Sequence, residues 1–113
     1  MNRPLSADEK RVILRILDSD FDAAAILRQQ IEGAFVTRRW IEGLPSIDIS
    51  VRKTSPAVPG RVRSPITRTV IDDSGNAIGF VMLWVEEGRI SALEYAWVTD
   101  DPPTVLPPDE WIV

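Results

Sequence analysis

The stretch Ala77-Ile78-Gly79-Phe80-Val81-Met82-Leu83-Trp84-Val85, the turn Glu86-Glu87-Gly88-Arg89 and the returning run Ile90 to Val98 decide the fold. The first run is too short to cross a membrane as a helix and is rich in the β-branched and aromatic residues that suit strands. Gly88 supplies the positive φ that a tight hairpin turn requires, so the two runs are expected to pair antiparallel. A strand without polar alternation is expected to be buried on both faces. That makes Ala77 to Val85 the central strand, with helices over one face.

Working outward, Ile66 to Ile71 reads as the preceding strand, joined through Asp73-Ser74-Gly75-Asn76, a second turn with glycine at the positive-φ position. Ile47, Ile49 and Val51 alternate with Asp48, Ser50 and Arg52, the period-two pattern of a half-buried strand. Phe35 to Trp40 is a further strand, turned by Gly43-Leu44-Pro45, for about five strands in a mostly antiparallel sheet. Lys53 to Pro65 holds three prolines and a glycine and reads as a loop.

Before residue 34 the period is helical. Ser6-Ala7-Asp8-Glu9 is a capping box, and Val12, Ile13, Ile16 and Leu17 follow at helical spacing. Asp20 or Asp22 is expected to cap a second helix, with Ala23, Ala24, Leu27 and Ile31 on one stripe and Gly33 as a left-handed end. The reading is one α+β domain over residues 1–113. A helical hairpin (1–33) packs on an antiparallel sheet (34–99), and a Pro-rich tail (100–113) follows. The tail ends in Trp111 and Ile112, which are costly to leave in water, so it is expected to strap back over the core.

The 113 residues include no Cys and no His, which removes thiolate chemistry, disulfides, the commonest general base and the commonest transition-metal ligand. No metal or other cofactor is expected. The opening Met1-Asn2-Arg3-Pro4-Leu5 reads as no export signal, and with the missing cysteines this places the chain in the cytoplasm as an expectation. Eleven of the 13 basic residues are Arg, a composition typical of GC-rich bacteria.

Charge is segregated. Residues 34–69 carry seven basic and two acidic side chains, whereas residues 70–113 carry one and nine. Cross-strand pairing can neutralise such halves, and otherwise they form separate patches for charged partners. The net charge of −4 and the sparse aromatics among the basic residues argue against nucleic acid. Four tryptophans are many for this length. Trp40, Trp97 and Trp111, with Arg38 and Arg39, are the candidate interaction residues. If the chain were an enzyme, Glu94 with Asp48 and Tyr95 would be the candidates. Glu94 falls on the strand face of Ile90, Ala92 and Ala96, and a carboxylate buried there without a partner could serve as a general acid. Its structural alternative is an ion pair, with Arg68 as the nearest choice.

Arg38-Arg39-Trp40-Ile41-Glu42-Gly43-Leu44-Pro45-Ser46-Ile47-Asp48, then Asp73-Ser74-Gly75, Gly88-Arg89-Ile90-Ser91-Ala92-Leu93-Glu94 and Asp101-Pro102-Pro103 resemble a family of small uncharacterised bacterial proteins. Similar proteins often have cysteines at the positions of Trp40, Glu42 and Leu44, before a Gly-Cys-Pro turn, and all three are replaced here. The resemblance implies the sheet and no thiol or metal role at that turn. The resemblance carries no activity; the missing catalytic residues, the lack of a phosphate-binding glycine loop, and the tryptophans and segregated charge that suit interfaces give the expectation of a non-enzymatic module that binds another protein or a second copy of itself, as toxin-neutralising immunity proteins of this size do. A small-ligand site or carboxylate-dependent enzyme built on Glu94 is the alternative.

Overall fold

The structure, a computed structural model, describes residues 2–19, 21–60 and 64–113. Its strands are β1 (Arg3–Pro4), β2 (Ala34–Arg39), β3 (Ile47–Val51), β4 (Ile66–Ile71), β5 (Ala77–Glu86) and β6 (Arg89–Trp97). They form one sheet in the order β1-β2-β3-β6-β5-β4, with each neighbouring pair antiparallel. The sheet has six strands rather than about five. The additional one is β1, where Arg3 pairs with Val36 and Pro4 with Phe35 at the sheet edge, a place that tolerates proline. The Arg3 guanidinium forks onto both oxygens of Glu9 at 2.8 Å, tying this short strand to the helix that follows.

That helix, α1 (Ala7–Ile16), carries the expected capping box. The Glu9 amide donates to Ser6 Oγ at 3.1 Å and the Ser6 amide to Glu9 Oε1 at 2.7 Å. The second helix, α2 (Ala24–Gln30), has no side-chain cap. Asp22 does not provide one, and Asp20 lies outside the described residues. Gly33 is not left-handed, because α2 tightens into a 3-10 turn at Ile31–Gly33 and runs directly into β2. The helices are not an N-terminal hairpin. A strand precedes them, and each takes the sheet as its apolar partner, α1 lying on β4 and β5 and α2 on β6. Val12, Ile13, Ile16 and Leu27 are fully buried there, because the sheet offers a wider apolar surface than a neighbouring helix does.

The alternation of β5 corrects the expectation of burial on both faces, and its place beside the edge strand β4 corrects the expectation of a central strand. Gly79, Val81, Leu83 and Val85 are buried, whereas Phe80 is exposed and Met82 and Trp84 are only half-buried. Gly79 is required for packing. A Cβ there would collide with the Ala96 carbonyl oxygen and meet the Tyr95 ring at 3.2 Å. On β6 a bulge changes the faces as well. Trp84 pairs with Ala92 and Val85 with Ile90, so Ser91 is an extra residue and Ile90 joins Leu93 and Tyr95 under the helices.

Two devices close the ends of the core. Gln30 is fully buried at the end of α2. Its amide nitrogen donates to Pro56 O (2.8 Å) and Gly88 O (2.9 Å), and its oxygen accepts from the Ile90 amide (2.9 Å). One side chain thus joins a helix, the β5–β6 turn and the loop after β3. In that turn Glu87 and Gly88 both have positive φ, and a Cβ on Gly88 would press on Val58 O at 2.5 Å. At the other end the Pro-rich tail lies along α1 and the β4 edge. Ile112 is fully buried and bridges to Val70, and its carbonyl accepts from Arg15 at 2.8 and 3.1 Å. Arg11 holds Pro107 O at 2.9 Å and Asp109 at 2.7 Å. Trp111 is half-buried against the core.

Gln30→Leu keeps the volume and takes the partner from Pro56 O and from the buried Ile90 amide, while Gly88 O keeps only the Val58 amide. It is expected to lower unfolding free energy by about 3 kcal/mol. Ile112→Ala is expected to lower it by about 3 kcal/mol through the cavity left beside Val70. Urea titration checks both, and an unchanged midpoint for Ile112→Ala would mean that the strap does not hold the core. Glu9 adds a pH dependence. Burial pushes its carboxyl up, but the Arg3 fork and the Ser6 donors outweigh burial and hold it below the ordinary value. The unfolded chain therefore takes up this proton first. The stabilisation is full above the ordinary carboxylate range and fades as pH falls below it. Going from about pH 6 to about pH 3, the wild type should lose more stability than Glu9→Gln.

Candidate functional site

Two helices on one face leave the opposite face of the sheet without a described helix or strand above it. At about 1.5 Å per residue α1 is roughly 15 Å long, while six strands about 4.8 Å apart span roughly 24 Å. The apolar content of β5 therefore emerges on the open face as Phe80, Met82 and Trp84. The strand register places Thr69 and Ala96 beside Phe80, Thr67 and Glu94 beside Met82, and Ala92 beside Trp84. On the other side of β6, Ala92 pairs with Asp48, and Asp48 pairs with Arg38 of β2.

Trp40 is brought onto this face by the loop after β2. The Trp40 amide donates to Ser46 O (3.0 Å), the Leu44 amide to Ile41 O (3.1 Å), and Gly43 takes a φ of 84° that its lack of a side chain permits. Ser46 is itself buried, and its hydroxyl accepts from the Tyr95 amide at 2.9 Å. So held, the Trp40 indole Nε1–H donates to Asp48 Oδ1 at 2.8 Å, and Arg38 Nε donates to Asp48 Oδ2 at 2.9 Å. On the far side the Trp84 indole Nε1–H donates to Glu94 Oε1 at 3.0 Å, a diagonal contact between β5 and β6. Each indole is pinned by a carboxylate. Between the two lies a depression of about 540 Å³, with Trp40, Asp48, Ser50, Trp84, Glu86 and Ala92 in its lining. Ala92, the smallest of the six, sits between Asp48 and Trp84 in the strand register.

The residues read from the sequence divide accordingly. Glu94 and Asp48 do share the open face, but Tyr95 is buried on the helix side beside Gly79, and burial pushes its phenol up. The sheet therefore separates the proposed catalytic trio. Arg68 is not the partner of Glu94, because its guanidinium crosses to the helix side and donates to Ile16 O (3.3 Å) and Asp18 O (2.6 Å). Of the interaction residues, Trp40 and Arg38 lie on the open face. Arg39 donates to Leu44 O in the loop, Trp97 is exposed at the end of β6, and Trp111 belongs to the strap. Two basic residues of the 34–69 segment, Arg61 and Arg63, lie outside the described residues. Trp84, Met82 and Phe80 are the members of the face that sequence reasoning assigned to the core. Their spacing of two, on a chain with helix enough for one side only, is the signal that could have found them.

Among the described residues no group of three or more carboxylates is placed to hold a metal ion, and no helix is long and apolar enough to cross a membrane. Comparison with protein-family models, with curated proteins and with solved structures gives no match. Glu94 has an indole and not a cation as its partner, so Glu94→Ala is expected to lower stability by only about 1 kcal/mol, the worth of one hydrogen bond. A loss of several kcal/mol in a urea titration would show instead a charge partner left stranded in the core.

Proposed function

We propose that the chain is a non-enzymatic protein-binding module of the cytoplasm and that it docks its partner on the open face of the sheet. The observation that carries this reading is the run of apolar side chains across that face. Trp40 is 36% and Phe80 39% exposed, with Met82 and Trp84 half-exposed between strands whose other side is a closed core. Apolar surface of this kind on one side of a small domain marks interaction sites, and tryptophan is enriched among the residues that carry binding energy. The pinned indoles add pre-organisation, since ring faces already held in place lose little freedom on binding. The depression on this face is open to solvent and Glu94 is not in its lining, whereas a small substrate of a Glu94 enzyme needs a pocket that closes around it and holds that carboxylate.

A photo-crosslinking amino acid at Met82 is expected to give protein adducts in a lysate of the source organism. The same group at Leu14, which is exposed on the helix side, is expected to give none. Adducts from Leu14 alone would overturn the assignment of the face. A second copy of the chain is the alternative partner, and it would show as a dimer in sedimentation velocity and as a self-adduct at Met82.

A further inference from the structure

The depression over Ala92 has a chemistry narrower than that of the face around it. Two indole rings stand on it, and each ring is fixed by a hydrogen bond from its own nitrogen, Trp40 to Asp48 and Trp84 to Glu94. Both donor edges are therefore spent, and what the rings offer a visitor is their electron-rich faces. The charged side chains in the lining are Asp48 and Glu86, and no basic side chain lines the depression. Asp48 is shared with Arg38, whereas Glu86 is exposed and forms no ion pair among the described residues. With Glu94 behind Trp84, carboxylates outnumber the one nearby guanidinium three to one. Aromatic faces together with unneutralised carboxylate are the two elements that hold a cation. Water around an ammonium is held tightly, while a planar guanidinium is weakly hydrated, stacks on indole and pairs with a carboxylate through two parallel donors.

We propose that the depression over Ala92 receives an arginine side chain of a partner protein, its guanidinium stacked on Trp84 and Trp40 and paired with Glu86. The inference rests on the reading of the open face as a docking surface and names the feature that the partner must present. Charge also decides between candidate partners. Two copies apposed through this face would bring their Asp48, Glu86 and Glu94 carboxylates together, which disfavours self-pairing and favours a different protein with a basic contact segment. Among the described residues the neighbouring basic side chains do not supply the cation from within, since Arg38 is engaged by Asp48 and Arg39 by the loop after β2.

The test uses the whole chain labelled with nitrogen-15 and a capped pentapeptide of glycines around one central arginine. Lysine and citrulline versions serve as controls, because citrulline keeps the shape and loses the charge. The arginine peptide is expected to shift the indole N–H signals of Trp40 and Trp84 saturably, with those of Trp97 and Trp111 unmoved. The lysine peptide is expected to bind several-fold more weakly and the citrulline peptide at least tenfold more weakly. Glu86→Gln, an exposed change that leaves the fold alone, is expected to weaken the arginine peptide about five- to tenfold, a difference of about 1–1.4 kcal/mol. Ala92→Leu, which fills the depression, should abolish the response. Equal responses to arginine and citrulline, equal movement of all four indoles, or no shift up to about 10 mM peptide would each overturn the proposal. If adducts nonetheless form from Met82, the face docks its partner by apolar contact alone. If the peptide binds as expected and Met82 gives no adduct, the groove recognises arginine and the wider docking surface is what fails.

Discussion

The residues of β5 that point away from α1 and α2 have no described element above them, because two short helices reach across only one face of a six-stranded sheet. That geometric limit shapes the rest of the molecule. On the covered side it selects small and branched residues in register, Gly79, Val81, Leu83 and Val85 against Leu93 and Tyr95. On the other side it leaves aromatic and thioether groups half in water. The apolar content of the β5–β6 hairpin exceeds what one core requires, and the excess is arranged on a single plane.

Polar groups hold that arrangement in place. Gln30 satisfies backbone groups from three segments at once and so positions the tip of the β5–β6 hairpin. Glu9 performs a similar service at the opposite edge, capping α1 and anchoring β1 through Arg3. Buried polar groups stabilise only when their partners are in place, so each of these contacts specifies one arrangement of the elements and penalises others. On the open face the pairs Trp40–Asp48 and Trp84–Glu94 orient rings that would otherwise turn freely. Asp48 and Glu94, the carboxylates singled out in the sequence, each accept from one of these indole nitrogens.

The tail shows how a polar-looking segment can be structural. Its prolines favour an extended path with less freedom to lose, and Arg11 and Arg15 of α1 take up its carbonyl groups. The Ile112 bridge to Val70 and the bond from the Val113 amide to Thr69 O cover part of the β4 edge, which would otherwise present unpaired strand groups. Neutralisation of the two oppositely charged segments of the sequence is limited. Arg38–Asp48 is an ion pair inside the basic segment, and Arg68 is taken up by carbonyl groups of α1 and the turn after it. Among the described residues, Glu86 of β5 and Glu94 of β6 form no ion pair with the basic segment.

Local physical chemistry was legible in the sequence alone. The capping box, the strand limits near Ile47–Val51 and Ile66–Ile71, the turns at Gly75 and Gly88 and the antiparallel hairpin each depend on neighbours a few residues apart. The tertiary structure decided what depends on distant partners. It placed β1 beside β2, ahead of helices that do not form an N-terminal hairpin. It also shifted Ile90 to the core through one extra residue at Ser91, and it opened one side of β5. Hydrophobic pattern reports how much apolar surface a segment carries. Whether that surface is covered depends on how many other elements the chain can bring to it, and that is settled only when the whole chain packs.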